Sequence, residues 1–167
     1  MKRRFPVSEV FRKDPRPQPV DPYRRRAKYP SGTRCPDCGL VFSNGAWRPA
    51  RKAAARVAAA AKRCPACLQI KDNYPGGVIR LGGRFVTSHR EEILSRARNV
   101  EKAARRQRPL ERVFRIVDEG GDIVMFSTDE HLASRIGKAL RSDFGGTLEI
   151  KYGPEDQYAL VKWSREE

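Results

Sequence analysis

The chain has 167 residues, with 35 Lys and Arg against 20 Asp and Glu, a formal net charge of +15 and a pI near 10.3. That length holds one ordinary domain or two small ones, and no apolar run approaches the roughly 20 residues needed to span a bilayer. A charge this large predicts a polyanionic partner, nucleic acid before an anionic membrane surface. The start, Met1-Lys2-Arg3-Arg4-Phe5-Pro6, is basic but no apolar stretch follows, so no secretory signal is expected. The reducing cytoplasm is then the expected compartment, and the four cysteines read as thiolate ligands before disulfides.

The charge is unevenly placed. Residues 1–30 carry a net +7, residues 31–70 +6 and residues 71–109 +6, whereas residues 110–167 carry −4. This divides the chain into a basic arm (1–32), a cysteine module (33–75) and an α+β domain (76–167). The arm holds Pro6, Pro15, Pro17, Pro19, Pro22 and Pro30 and the run Arg24-Arg25-Arg26-Ala27-Lys28. Proline breaks helices and withholds backbone donors, and few apolar residues offset the ordering entropy. The arm is therefore expected to be disordered or extended. It either stays solvated or orders on a phosphate backbone through Arg24, Arg25, Arg26 and Lys28, with Tyr23 and Tyr29 stacking on bases.

The module contains Cys35-Pro36-Asp37-Cys38-Gly39 and Cys64-Pro65-Ala66-Cys67. A two-residue gap lets both thiolates of a pair reach one metal ion, and Gly39 permits the positive φ that turns amides toward the sulfurs. Two such pairs predict one structural Zn²⁺ held by Cys35, Cys38, Cys64 and Cys67, with no open coordination position for catalysis. The spacer between the pairs is 25 residues, a little longer than the roughly 15–20 usual for this pattern. An Ala-rich helix from Pro49 to Arg63 is expected to fill it, with Arg51, Lys52, Arg56, Lys62 and Arg63 within an arc of about 140°. So small a segment should draw most of its folding free energy from the metal, roughly 10–16 kcal/mol in comparable zinc peptides.

In the third segment, Val78-Ile79-Arg80-Leu81 predicts a strand and Gly82-Gly83 a turn. Ser88-His89-Arg90-Glu91 has capping-box spacing and predicts a helix running to about Gln107. Its apolar stripe is Ile93, Ala97, Val100 and Ala104; Arg98, Lys102, Arg105 and Arg106 lie roughly opposite. Val113–Val117 and Ile123–Phe126 predict a hairpin around Asp118–Asp122. A helix capped by Ser127 or Thr128 should bury Leu132, Ile136, Ala139 and Leu140 and end at Gly145-Gly146. Leu148, Ile150 and Tyr152 alternate with Glu149 and Lys151 as in a half-buried strand. Gly153–Asp156 then turns the chain into a last strand, Tyr158–Trp163. The order suggests a split-βαβ, ferredoxin-like sheet with its helices on one face. The fold class is thus α+β, a zinc-ribbon-like Cys₄ module followed by that sheet domain.

No catalytic arrangement emerges. His89 and His131 sit at predicted helix starts, Asp129-Glu130 and Glu91-Glu92 suit first helical turns, and the Gly-Gly pairs lack the context of a nucleotide-binding loop. No enzyme activity and no small-molecule substrate are expected. The basic stretches point to RNA before specific DNA, since no helix-turn-helix or finger signature is present, and contacts should be dominated by the backbone.

The succession of Cys-Pro-x-Cys-Gly, a second Cys-x-x-Cys, Phe114-Arg115-Ile116 and the segment from Asp122 to Ala133 resembles the nonsense-mediated-decay-three family of large-ribosomal-subunit adaptors. The resemblance spans about residues 33–163. This chain looks like a short bacterial relative with fewer knuckles and without the family's further domains. The resemblance implies association with ribosomal RNA or the large ribosomal subunit, in assembly, quality control or stress; it carries over no contact residue. The alternatives are a zinc-ribbon DNA-binding or transcription-associated factor, and a protein-interaction adaptor using the acidic C-terminal sheet.

Overall fold

The computed structural model describes residues 23, 29–50, 59–153 and 158–167. The predicted contact residues Arg24, Arg25, Arg26, Lys28, Arg51, Lys52 and Arg56 lie outside them, as does most of the turn after Gly153. The described chain is α+β, with two mixed sheets and four helices.

The first sheet is small. Its strands β1 (Thr33–Arg34), β2 (Val41–Ser43), β3 (Ala46–Arg48) and β4 (Ala60–Ala61) lie in the order β3-β2-β1-β4. Asn44-Gly45 joins β2 to β3 with φ of +49° and +75°, the two positive values that a type I′ hairpin turn requires. β4 runs parallel to β1, pairing Thr33 with Ala60 and Arg34 with Ala61. This corrects the expectation of a helix as far as Arg63. Alanine's helix propensity is worth only tenths of a kcal/mol per residue, and pairing with β1 overrides it at this end. Lys62 and Arg63 are not helical; the Lys62 amide donates to Arg34 O at 3.1 Å, continuing the ladder towards the cysteines. Helix α1 (Pro65–Asp72) follows at once, with Pro65 in its first turn, and ends on the left-handed Asn73.

The second sheet has five strands. They are β5 (Gly77–Gly82), β6 (Val113–Glu119), β7 (Asp122–Ser127), β8 (Thr147–Tyr152) and β9 (Ala159–Ser164), in the order β6-β7-β5-β9-β8. Helices α2 (Arg84–Ser88) and α3 (Arg90–Gln107) connect β5 to β6, and α4 (Glu130–Phe144) connects β7 to β8. The first half has the predicted split: β7 lies between β5 and β6 and is antiparallel to both. The second half departs from a ferredoxin-like arrangement. After α4 the chain runs out to the far edge as β8 and returns as β9, which inserts beside β5 and parallel to it. Burial explains the choice. β9 carries Ala159, Leu160, Val161 and Trp163, all buried, whereas β8 exposes Glu149, Lys151 and Tyr152 and suits an edge.

All three helices of this domain pack on one face, as expected. Val86 of α2, Ile93, Leu94, Ala97 and Ala104 of α3, and Leu132, Ala133, Ile136 and Leu140 of α4 form one core with Ile79, Leu81, Ile123, Met125, Val161 and Trp163. Val100 and Ala139 are only half-buried. Two predicted caps are replaced. The helical stretch before α3 breaks at His89, which stacks on Phe85 at 3.8 Å, and Ser88 makes no cap. On α4 the cap is Asp129, whose Oδ1 accepts from the amides of His131 and Leu132 at 2.9 and 3.0 Å. The hydroxyls of Ser127 and Thr128 are turned to backbone carbonyls instead. No described helix is long and apolar enough to cross a membrane.

Close approach explains Gly77. A Cβ there would lie 2.5 Å from Ala133 Cβ and 3.0 Å from Asp129 O. By contrast Gly120, at φ +60° in the β6–β7 turn, faces open space. Gly77→Ala should lower stability by about 1–3 kcal/mol through overpacking, while Gly120→Asn, which tolerates the left-handed turn conformation, should stay within about 0.5 kcal/mol. Urea denaturation midpoints of the two variants decide this.

Candidate metal centre

The first pair of cysteines sits on a tight turn leaving β1. Gly39 has φ +74°, its amide donates to Cys35 O at 2.9 Å, and the Cys35 amide donates to Leu40 O at 2.8 Å. The second pair opens α1: Cys64 is the N-cap, and its amide points at Cys35 Sγ at 3.4 Å. β4, lying against β1, thus delivers the second pair to the first across 25 intervening residues. The four sulfurs all lie within 4.8 Å of one another. Cys38 Sγ and Cys64 Sγ are 3.7 Å apart. Four thiolates held tetrahedrally at about 2.3 Å from one ion would be about 3.8 Å apart. The predicted ligands are therefore brought together in a set compatible with one metal ion.

A fifth residue completes the centre, and sequence reasoning missed it. Arg112, which directly precedes β6, donates through Nη1 to Cys67 Sγ at 3.4 Å and through Nη2 to Cys38 Sγ at 3.3 Å. Its Nε donates to Pro109 O at 3.0 Å, and the whole side chain is buried. Its backbone is fixed by Thr128: the Arg112 amide donates to Thr128 Oγ1 and the Thr128 amide to Arg112 O, both at 2.9 Å. The same hydroxyl donates to Leu110 O at 2.7 Å, and Gln69 of α1 donates through Nε2 to Thr128 O at 2.9 Å. One network therefore joins the cysteine module, α1 and the sheet. No spacing rule points to Arg112, because its partners lie 45 and 74 residues away.

The electrostatics follow from this geometry. Burial raises the Cys38 thiol, but the Arg112 guanidinium, the Leu40 amide and Cys35 outweigh it and bring it down to about 7. Burial pushes Cys67 up to about 11 and raises Cys64 as well. A metal must therefore displace protons from Cys64 and Cys67, so affinity falls as pH falls. Among these contacts Arg112 offsets part of the negative charge that four thiolates would carry.

Around the centre, Tyr29, Phe42 and Trp47 form a cluster with ring centroids 5.1–5.6 Å apart, and Leu110 packs beside them. Tyr29 is thus part of this core, and Tyr23 donates to Asp72 Oδ2 at 2.9 Å and packs on Tyr74. Both rings are engaged within the fold, which corrects the expectation that they await bases. Of the module's described cations, Lys62 is exposed, while Arg63 pairs with Asp37 at 2.5 Å.

The basic face of α3 is where the sequence placed it. Arg98, Lys102, Arg105 and Arg106 are all exposed, on the side away from Ile93, Ala97 and Ala104. Arg105 lies 3.9 Å from Glu101; the other three make no ion pair among the described residues. Arg98 also edges a cleft between α3 and β6. His131 is exposed beside the buried Glu130, 3.5 Å away. No protein-family model, no curated protein and no solved structure matches this chain.

Removing Arg112 should leave buried thiolates without their cation, a loss of about 3 kcal/mol or more. Arg112→Lys should not restore it, since one ammonium cannot fork between two sulfurs. Guanidinium denaturation of both variants measures this. Elemental analysis should find close to one metal ion per chain. Chelation or acidification should red-shift the emission of Trp47 while Trp163 stays buried, read in a Trp163→Phe variant and its Trp47→Phe counterpart.

Proposed function

We propose that the chain is a zinc-stabilised, non-catalytic RNA-binding protein of the cytoplasm that associates with the ribosome or with ribosomal RNA. The observation that carries the reading is the outer face of α3. Arg98, Lys102 and Arg106 stand exposed with no ion pair among the described residues. Charged helix faces are commonly just solvated; this one belongs to a chain whose first 109 residues carry a net +19 against −4 in the rest. Arg105 and, in the module, Lys62 and Arg63 extend the same chemistry, as do Arg24, Arg25, Arg26, Lys28, Arg51, Lys52 and Arg56.

Zinc is the metal that suits the cysteine set. Four thiolates in a closed tetrahedron favour an ion without geometric demands from d-electrons and leave no site for water or substrate. The role is to hold the module's short strands together, since its buried side chains are few. The likeness to the nonsense-mediated-decay-three family, in the knuckles and from Asp122 to Ala133, adds the ribosome as the place where the RNA is met. Binding through phosphates accounts for cations spread along one face rather than gathered in a pocket.

Sucrose-gradient sedimentation of lysate should carry the protein with the large subunit at low salt and release it at high salt; a protein that stays at the top at low salt overturns the ribosomal assignment. Filter binding should favour structured RNA over duplex DNA, and preference for the duplex would return the transcription-factor reading. Replacing Arg98, Lys102 and Arg106 with Gln should reduce the slope of log K against log salt by about one for each phosphate these side chains neutralise. An unchanged slope would remove α3 from the interface.

A further inference from the structure

Helix α3 runs back along the outer edge of the five-stranded sheet. Arg90, at its start, pairs with Asp118 near the end of β6, and Glu101 accepts from the Val113 amide at the beginning of β6 at 3.1 Å. Eleven helical residues and five strand residues each cover about 16 Å, so helix and strand stay side by side between these two clamps. β6 is an edge strand, with β7 as its one neighbour among the described residues. Beside the second clamp lies a cleft of about 370 Å³. Val113, Phe114, Ile116 and Met125 give it apolar walls, and Arg98 and Glu101 reach it from the helix. Its size is near the lower end of the about 300–1,000 Å³ usual for ligand sites, which suits one planar ring rather than a folded chain.

Glu101 is the informative residue. Its side chain is 16% exposed, and it is the one carboxylate lining the cleft among the described residues. Oε1 takes the Val113 amide and lies 3.9 Å from Arg105 Nη1, while Oε2 has no partner among the described residues. The lining arginines do not supply one. Arg98 makes no ion pair among the described residues, and the Arg115 guanidinium lies over the Phe126 ring, 3.9 Å from its centre. An ionised carboxylate accepts hydrogen bonds and donates none, and it repels anions. The cleft therefore fits a flat group that brings an N–H donor, joined to anions that stay outside on Arg98 and Lys102, one turn apart on the exposed face of α3. An unpaired nucleobase in an RNA strand has this chemistry. An acidic peptide does not, and strand addition is hindered as well: the register of β6 breaks between Val113 and Arg115, and the Val113 amide is already taken.

We propose that the cleft between α3 and β6 takes one unpaired base of a single-stranded RNA segment, with Glu101 Oε2 accepting from the exocyclic amine and Arg98 and Lys102 on the neighbouring phosphates. The proposal rests on the RNA-binding reading of α3 and adds a base preference to it. Cytosine, adenine and guanine carry an exocyclic amine that a carboxylate accepts. Uracil carries none; it sets a carbonyl oxygen on either side of its one N–H, and these oxygens face the carboxylate with the wrong sign.

Cytosine and uracil are close in size and make the test. Fluorescence anisotropy of the full chain with labelled oligocytidylate and oligouridylate of equal length should show the cytidine strand bound about tenfold more tightly. Glu101→Gln keeps the Val113 tie through its carbonyl and puts an amide N–H₂ where Oε2 stood. It should reverse the preference towards uridine while Tm holds; loss of charge alone would strengthen both strands equally. Arg98→Gln should weaken both strands alike and leave their ratio in place. Equal wild-type affinity for the two strands overturns the base site and leaves RNA binding by α3 standing, as does a Glu101→Gln variant that keeps the wild-type ratio. If neither single strand binds, the base site falls, and filter binding with structured RNA decides whether the RNA reading falls with it. Retention of polyglutamate in place of either strand would assign the cleft to an acidic peptide and overturn the proposal.

Discussion

Arg112 is the point on which the two parts of this molecule meet. Its guanidinium bridges Cys38 and Cys67, and its backbone is clamped to Thr128 where β7 turns into α4. A buried arginine is costly to desolvate and is tolerated only where its donors are met. Here both terminal nitrogens face sulfur and Nε faces Pro109 O. The centre therefore does more than fold its own loop. With Gln69 reaching the same Thr128 from α1, it sets where the module sits on the sheet. Arg112 reaches both Cys38 and Cys67, yet only Cys38, which also accepts from the Leu40 amide, is brought below its ordinary value; at Cys64 and Cys67 burial is the larger effect and raises the thiol.

The sheet shows how burial chooses topology. A strand that is apolar on both faces belongs in the middle, and one that alternates Leu148-Glu149-Ile150-Lys151 belongs at an edge. β9 and β8 obey this even though it breaks the simpler path of a ferredoxin-like second half. At the opposite edge, β6 is half-buried over most of its length. Its first amide is met by Glu101 of α3 at 3.1 Å, which ties that edge to the helix carrying the exposed cations.

Much of this was legible in the residues. The cysteine pairs announced their own convergence, because spacing of that kind is a local signal for ligation. The stripes of α3 and α4 were clear at helical period, and Gly120-Gly121 marked the β6–β7 turn. Three things were hidden for physical reasons. Ala60-Ala61 reads as helix because its strand partner lies 27 residues away in β1. Asp129 displaced the neighbouring hydroxyls as the cap of α4 because Ser127 donates to the carbonyls of Asp129 and Gly77 and Thr128 to that of Leu110. Arg112 is one of many arginines, and only the folded chain distinguishes the one that meets sulfur. One signal was present and not used: Asn44-Gly45 between two apolar runs marks the β2–β3 hairpin.

The parallel pairing of β5 with β9 has a consequence for how the domain comes into being. The central strand, Gly77–Gly82, has as one of its two neighbours a strand that is 82 residues downstream, Gly77 pairing with Ala159. During synthesis the hairpin of β6 and β7 and the helices can collect on β5 early, but its other side stays open until Ala159–Ser164 has left the ribosome. At roughly 5–20 residues per second, several seconds separate the birth of the central strand from that of its partner. Contacts of such long range slow folding and leave an apolar edge waiting. The nascent chain, more than the finished one, is the form most exposed to wrong pairing.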